Sequence, residues 1–318
     1  MSTASVAPIA PRGEEVRVFA PASLSNLGPG FDVLGLALAA PGDIVLARRS
    51  ATPGVRILRA TGGVPLEADA NMAGVAARET LRRAGMTDVG IELEVEKGMP
   101  IGTGMGSSAA SAAAAAVAVN LLLGSPLRKQ ELIGACVEAE ARVAGRHGDN
   151  VSPSLLGGLV LVRSLDPPDV VRLPVPEDLM VAVATPAFEL STRVARAALP
   201  ESAPLRSLVH STANIAALVA ACYSGDLALL ARSLDEDVVV PVRAALIPGA
   251  HEVMRAALDA GALGSSISGA GPSIFALCHS EARARAVARA MEAAFLQYGR
   301  LAASTIVSPA DAPGARAL

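Results

Sequence analysis

The chain has no tryptophan, two tyrosines and five phenylalanines among its 318 residues, so aromatics make up only 2%. That scarcity removes the stacking platforms on which single-stranded nucleic acids lie, and it means that any core is built from aliphatic side chains. Cysteine is scarce too: Cys136, Cys222 and Cys278 stand far apart, with no spacing that suits a metal site or a disulfide framework. A reduced, cytoplasmic protein is the expectation. Lysine occurs at Lys97 and Lys129 alone, so all but two of the 27 basic residues are arginine. No basic run stands out and the net charge is −3, which argues against a nucleic-acid partner. Residues 1–15, MSTASVAPIAPRGEE, lack a basic start followed by a long apolar stretch and read as a flexible tail rather than a signal peptide. The one alanine-rich run is interrupted by Ser111 and Asn120 and is only weakly apolar, so no membrane span is expected.

Hydrophobic residues make up 52% of the chain and charged residues 18%, enough apolar material for a large core. A chain of this length usually divides into two domains. Short apolar strands are expected at 16–20, 33–39, 44–48 and 55–58, the second and third separated by a Pro41-Gly42-Asp43 turn. A helix is expected from about Asn71 to Ala84, and IELEVE at 91–96 alternates as a half-buried strand does. A further helix is expected over Gln130–Val143 and a strand over Gly157–Arg163. Proline and acid concentrate in DPPDVVRLPVPED, 166–178, the best candidate boundary, giving halves at 16–170 and 171–318. Beyond it come strands at 179–185, 273–278 and 301–307, with helices near 207–222, 226–234, 249–260 and 281–297.

The densest signal is PIGTGMGSSAAS, Pro100 to Ser111. Gly102, Gly104 and Gly106 let the main chain come close to a ligand, and Ser107 and Ser108 open a helix carried by alanines to about Leu123. Free N–H groups and the positive end of the dipole at such a helix start suit a phosphate chain. The loop has no GK[ST] ending, so it is not a Walker loop. The next acid is Glu131, which disfavours a dinucleotide-binding fold.

A proline, glycines at alternate positions and then GSSAA resemble the phosphate loop of the GHMP kinases. Three more segments are similar to the homoserine kinase family within that superfamily: APASLSNLGPGFDVLGLAL at 20–38, GRHGDNVSPSLLGG at 145–158 and GALGSSISGAGPSIFAL at 261–277. The resemblance spans both halves. It implies an α+β, two-domain GHMP kinase fold, with a ribosomal protein S5 domain 2-like N-terminal domain carrying the phosphate loop and a ferredoxin-like C-terminal domain. It also implies ATP-dependent phosphorylation of the side-chain hydroxyl of L-homoserine, a step of threonine biosynthesis, with Mg²⁺, in a homodimer. Two alternatives stay open: a GHMP kinase for another small alcohol such as mevalonate or shikimate, and a non-catalytic nucleotide or metabolite sensor on the same fold.

By that resemblance Pro100, Ile101, Gly102, Thr103, Gly104, Met105, Gly106, Ser107, Ser108, Ala109 and Ala110 bind ATP, and Ser108 and Glu140 hold the metal. Asn26 and Asp32 fall at the substrate amine end, where Asp32 supplies a counter-charge or else serves as a turn residue of GPGFD. Arg196, in STRVARAALP, and Arg243, in VVVPVRAALIPG, fall at the carboxylate end, where a guanidinium fork fits. Thr192, four residues before Arg196, shares its helical face. His147 is the one histidine within a motif; it either bonds substrate or acts as a base. Asn150 orients the hydroxyl or the γ-phosphate, and Asp149 is either a helix cap or a base. In the family pattern the metal glutamate precedes the motif histidine by eight residues. Here Glu140 precedes His147 by seven, and aligning EARVAG with ExxxxG puts the missing residue after Gly145.

Overall fold

The computed structural model describes residues 15–142 and 145–318. The expected tail therefore lies outside the described residues except for Glu15, as does the end of the helix expected to reach Val143. The first half consists of β1 (Glu15–Ser25), β2 (Leu34–Ser50), β3 (Gly54–Ala60), α1 (Met72–Arg83), β4 (Gly90–Glu96), α2 (Ser107–Leu122), α3 (Ile133–Glu140), α4 (Val151–Leu156), β5 (Leu159–Leu165) and β6 (Pro168–Leu173). The second consists of β7 (Met180–Pro186), α5 (Thr192–Ala197), α6 (Leu205–Ser224), α7 (Leu227–Arg232), α8 (Val239–Ala244), α9 (Ala250–Asp259), β8 (Gly264–Ile267), β9 (Ile274–Cys278), α10 (Glu281–Ala294) and β10 (Ala303–Pro309). A last short strand, β11 (Arg316–Ala317), returns to β1 of the first half.

The first sheet runs β11-β1-β2-β4-β3, with β5 added to β2 and β6 to β5. Helices α1 to α4 cover it, and α2 lies at the centre of that layer. Nearly every residue of α2 is buried, and its alanines are what let a helix approach the sheet and its neighbours on all sides. Asn71 caps α1 by accepting the Ala73 N–H at 3.0 Å. The second sheet is antiparallel in the order β10-β7-β9-β8, the ferredoxin-like arrangement, with α9 and α10 packed against it. A third apolar cluster, including Leu24, Leu34, Met105, Leu218 and Phe275, joins the two halves.

Three features differ from the expectations. The Pro41-Gly42-Asp43 turn does not form: β2 is one strand that runs through it, pairing Pro21 with Gly42 and Ala20 with Asp43. The physical reason is a buried ion pair between Asp43 and Lys97, which keeps the aspartate in the sheet instead of at a solvated turn. The expected division at 170/171 falls inside β6, which pairs with β5 through Leu173, and β11 carries the C-terminus back across it. The proline-rich segment reads locally as a linker, but its Val170–Val171 core supplies an edge strand.

Candidate active site

The phosphate loop leaves β4 and ends at Gly106, whose left-handed backbone (φ 64°) starts α2 with no side chain capping the helix. The first intrahelical bond runs from the Ala110 N–H to the Gly106 carbonyl, so the N–H groups ahead of it are available to a ligand. Gly104 (φ 77°) is where the loop meets the third motif. A Cβ there would lie 2.6 Å from the Ser268 carbonyl oxygen and 2.7 Å from that of Gly271, while the Ser268 hydroxyl donates to the Gly104 carbonyl at 2.6 Å.

A cavity of about 330 Å³ opens over this loop, between the halves. Ile101, Gly102, Thr103, Gly104, Gly106, Ser107, Ser108, Glu140, Asn26, Asp32, His147, Asn150, Thr192, Arg196 and Arg243 all line it. Four of the expected ATP-loop residues do not. Met105 and Ala110 are buried in the apolar cluster between the halves, Ala109 is fully buried in the core of the first half, and Pro100 is exposed outside the lining. Of these four only Ala109 and Ala110 belong to α2, which turns them away from its open end.

At the phosphate side burial pushes the Glu140 carboxyl up to about 7; the Ser108 hydroxyl and Lys97 oppose the shift and the Asp149 charge adds to it. Glu140 Oε1 and the Ser107 hydroxyl are buried with no hydrogen-bond partner. At the opposite side Arg196 donates to both oxygens of Asp32, at 2.7 and 3.0 Å. His147 Nδ1 lies 3.5 Å from Asp32 Oδ1 and 3.5 Å from the Arg196 guanidinium. The Arg196 and Arg243 guanidinium carbons lie over the Phe31 ring, at 5.1 and 5.2 Å from its centroid. The Asp32 N–H donates to Asn26 Oδ1 at 3.2 Å. Asn26 in turn donates to the Gly269 carbonyl at 3.2 Å, and Arg243 donates to the same carbonyl at 2.6 Å. Burial and the repulsion of Arg196 lower the Arg243 pKa, with Asp32, Asp149 and Glu236 opposing the shift.

Asn150 joins the two sides. Its Oδ1 accepts from the Ser23 hydroxyl at 3.0 Å and its Nδ2 donates to Ser25 Oγ at 3.0 Å. Burial and the nearby Asp32 charge push the Asp149 carboxyl up to about 6, with His147 and the Ser25 hydroxyl opposing the shift. Ser23, Ser25 and the Gly269 carbonyl, which hold Asn150, Asn26 and Arg243, were not singled out from the sequence. The signal for the serines was their alternate spacing in PASLSN, which puts both on one face of a strand.

These features are those of a GHMP kinase, and the comparisons agree. The family model for the GHMP kinases N terminal domain matches residues 71–158, and that for the GHMP kinases C terminal matches 218–297. A homoserine kinase of Arabidopsis thaliana is 43% identical over 95% of this chain and 84% of its own length. One from Xanthomonas campestris pv. campestris is 44% identical, covering 96% and 94%. The crystal structure of homoserine kinase from Cytophaga hutchinsonii superimposes with a TM-score of 0.92 at 41% identity, covering 100% of both chains. The chain belongs to the homoserine kinase family.

Proposed function

We infer that this protein transfers the γ-phosphoryl group of ATP to the side-chain hydroxyl of L-homoserine, giving O-phospho-L-homoserine. The observation that carries the reading is the adjacency of Asp32 and Arg196 across the cavity from the phosphate loop. An α-amino acid presents an ammonium and a carboxylate on one carbon, and a carboxylate set beside a guanidinium matches both at once. Mevalonate and shikimate carry no ammonium for Asp32. With the α-carbon held by Asp32, Arg196 and Arg243, the side-chain hydroxyl points toward the loop.

Phosphoryl transfer depends on alignment and on neutralising charge over the phosphate oxygens more than on a strong base. The open N-terminus of α2 meets the phosphates. Asn150 Nδ2 has a second hydrogen beyond the one given to Ser25, and that donor orients the attacking hydroxyl or the γ-phosphate. His147 bonds the substrate beside Asp32, and Thr192 lies on the same wall. Mg²⁺ is part of this reading. It takes oxygen ligands and keeps several waters, and the unpartnered Glu140 Oε1 beside the Ser108 hydroxyl fits such a site. Bound there with ATP, Mg²⁺ neutralises phosphate charge.

A homodimer belongs to the same reading, supported by α6, whose outer face exposes Leu205, Leu208, Val209 and Tyr223. Among the described residues α6 is also the one helix long and apolar enough to cross a membrane, but its other face is tied to the protein through Ser207 to Asp237 and Asn214 to the Asp235 carbonyl. A cytoplasmic location suits three buried free thiols. Incubation with ATP, Mg²⁺ and L-homoserine followed by ³¹P NMR tests the reading. A new phosphomonoester on the side-chain oxygen is expected; γ-phosphate released only to water would overturn it.

A further inference from the structure

Walker loops carry a lysine that reaches the phosphates from within the loop. Here the lysine is underneath. Lys97 follows β4 directly, and its ammonium pairs with Asp43 and donates to the Ser107 carbonyl at 2.7 Å and to Ser111 Oγ at 2.9 Å. The Ser111 hydroxyl donates to Asp43 Oδ2 at 2.5 Å, and the Gly98 N–H donates to Asp43 Oδ1 at 3.0 Å. The Lys97 side chain is 4% exposed and that of Asp43 is fully buried.

Burying an ion pair is expensive, and apolar residues of the same volume often stabilise a fold at least as well. Geometry is what the cluster supplies. Its bonds end at the exit of the loop from the sheet (Gly98), at the first residue of α2 (Ser107) and one turn further on (Ser111), so both ends of the loop are tied to one carboxylate of β2. Ser107 and Ser108, on the turn that Lys97 holds, line the cavity.

We propose that Lys97, Asp43 and Ser111 are positioning residues for the nucleotide, a neck that shapes the phosphate loop and the open end of α2 for a triphosphate before it binds. None of the three lines the cavity, and the amino-acid pole lies on its far side. The neck therefore governs ATP and not homoserine. The inference rests on the reading of the loop as an ATP site.

The test is calorimetric binding of MgATP without homoserine, together with both KM values, for the wild type, Ser111→Ala and Lys97→Met. Ser111→Ala puts the best helix former into an alanine helix and keeps the ion pair, so the variant folds. It should weaken ATP binding about fivefold, about 1 kcal/mol, and leave the KM for homoserine within about twofold. Lys97→Met should do more in the same direction. An ATP affinity unchanged in Ser111→Ala, whether or not Lys97→Met folds, overturns the proposal, as do equal rises in both KM values. A wild type that bound no ATP would overturn this inference and the kinase reading together; a wild type that bound ATP beside an unaltered Ser111→Ala would overturn the inference alone.

Discussion

Arg196 pairs with Asp32 while its Nε stays buried without a partner; in the proposed reading the homoserine carboxylate meets the arginine and its ammonium the aspartate. Each arginine that meets the substrate carboxylate contributes about 1.5–3 kcal/mol as a hydrogen bond to a charged group. Arg196→Leu and Arg243→Leu should therefore each raise the KM for homoserine roughly ten- to hundredfold, with the KM for ATP little changed in steady-state assays. Equal effects on both would reject the carboxylate assignment. Glu140 makes a different prediction. Its folded pKa, near 7, lies above its ordinary value of 4.5, because burial disfavours the charge. The sign follows from linkage: its contribution to the stability of the ligand-free protein is full below about pH 4.5 and is lost as pH rises toward 7. In the proposed reading Mg²⁺ would bind the ionised form, so the Mg²⁺ concentration for half-maximal rate should rise as pH falls below about 7. Glu140→Gln should cut kcat, demand more Mg²⁺ and lose that pH dependence. The motif residues were legible because each sits in a contiguous phrase such as NLGPGFD or GDN. Ser25 and the Gly269 carbonyl were not, because their partners lie 125 and 243 residues away.

Among the elements, α8 shows how a short helix is held to its task. Glu236 accepts from the Val238, Val239 and Val240 N–H groups at 2.8, 2.7 and 2.6 Å, clamping the start of the helix whose last turn carries Arg243. Glu236→Ala removes that clamp, and by analogy with lost helix caps it should cost about 1–2 kcal/mol in denaturant unfolding. It should also raise the KM for homoserine, which a helix held by packing alone would leave unchanged. Periodicity and caps made α1, β4 and α2 readable, but β2 was misread because Pro41-Gly42-Asp43 carries turn chemistry. The deciding contact, Asp43 with Lys97, joins residues 54 apart in sequence, which no local rule can see. The sequence yields no range for the short helices α4, α5 and α8 for a related reason: at six residues each they are too brief for a helical period to show, although the spacing of Thr192 and Arg196 puts those two on one helical face.

In the proposed reading ATP lies on a loop of the first half, and the amino-acid clamp draws on both, with Asp32 from the first and Arg196 and Arg243 from the second. The apolar cluster of Leu24, Met105, Leu218 and Phe275 holds the halves at the separation the cavity needs. Two domains were foreseeable from length and motif spacing. The return of β11 to β1 was not, since a two-residue strand leaves no pattern to read. At this scale the exposed face of α6 makes its own prediction. Leu208, 59% exposed, lies on that face, so Leu208→Glu should shift a dimer toward monomer in sedimentation without altering the active-site pKa values. A wild type that sediments as a monomer would remove the dimer from the account. The central claim is tested most directly by comparing kcat/KM for L-homoserine, mevalonate and shikimate from ADP release in the presence of Mg²⁺. Saturable turnover with homoserine, and release near background with the other two, is the result expected. No ADP release with homoserine at millimolar levels, or faster release with either acid that lacks an ammonium, would contradict the account.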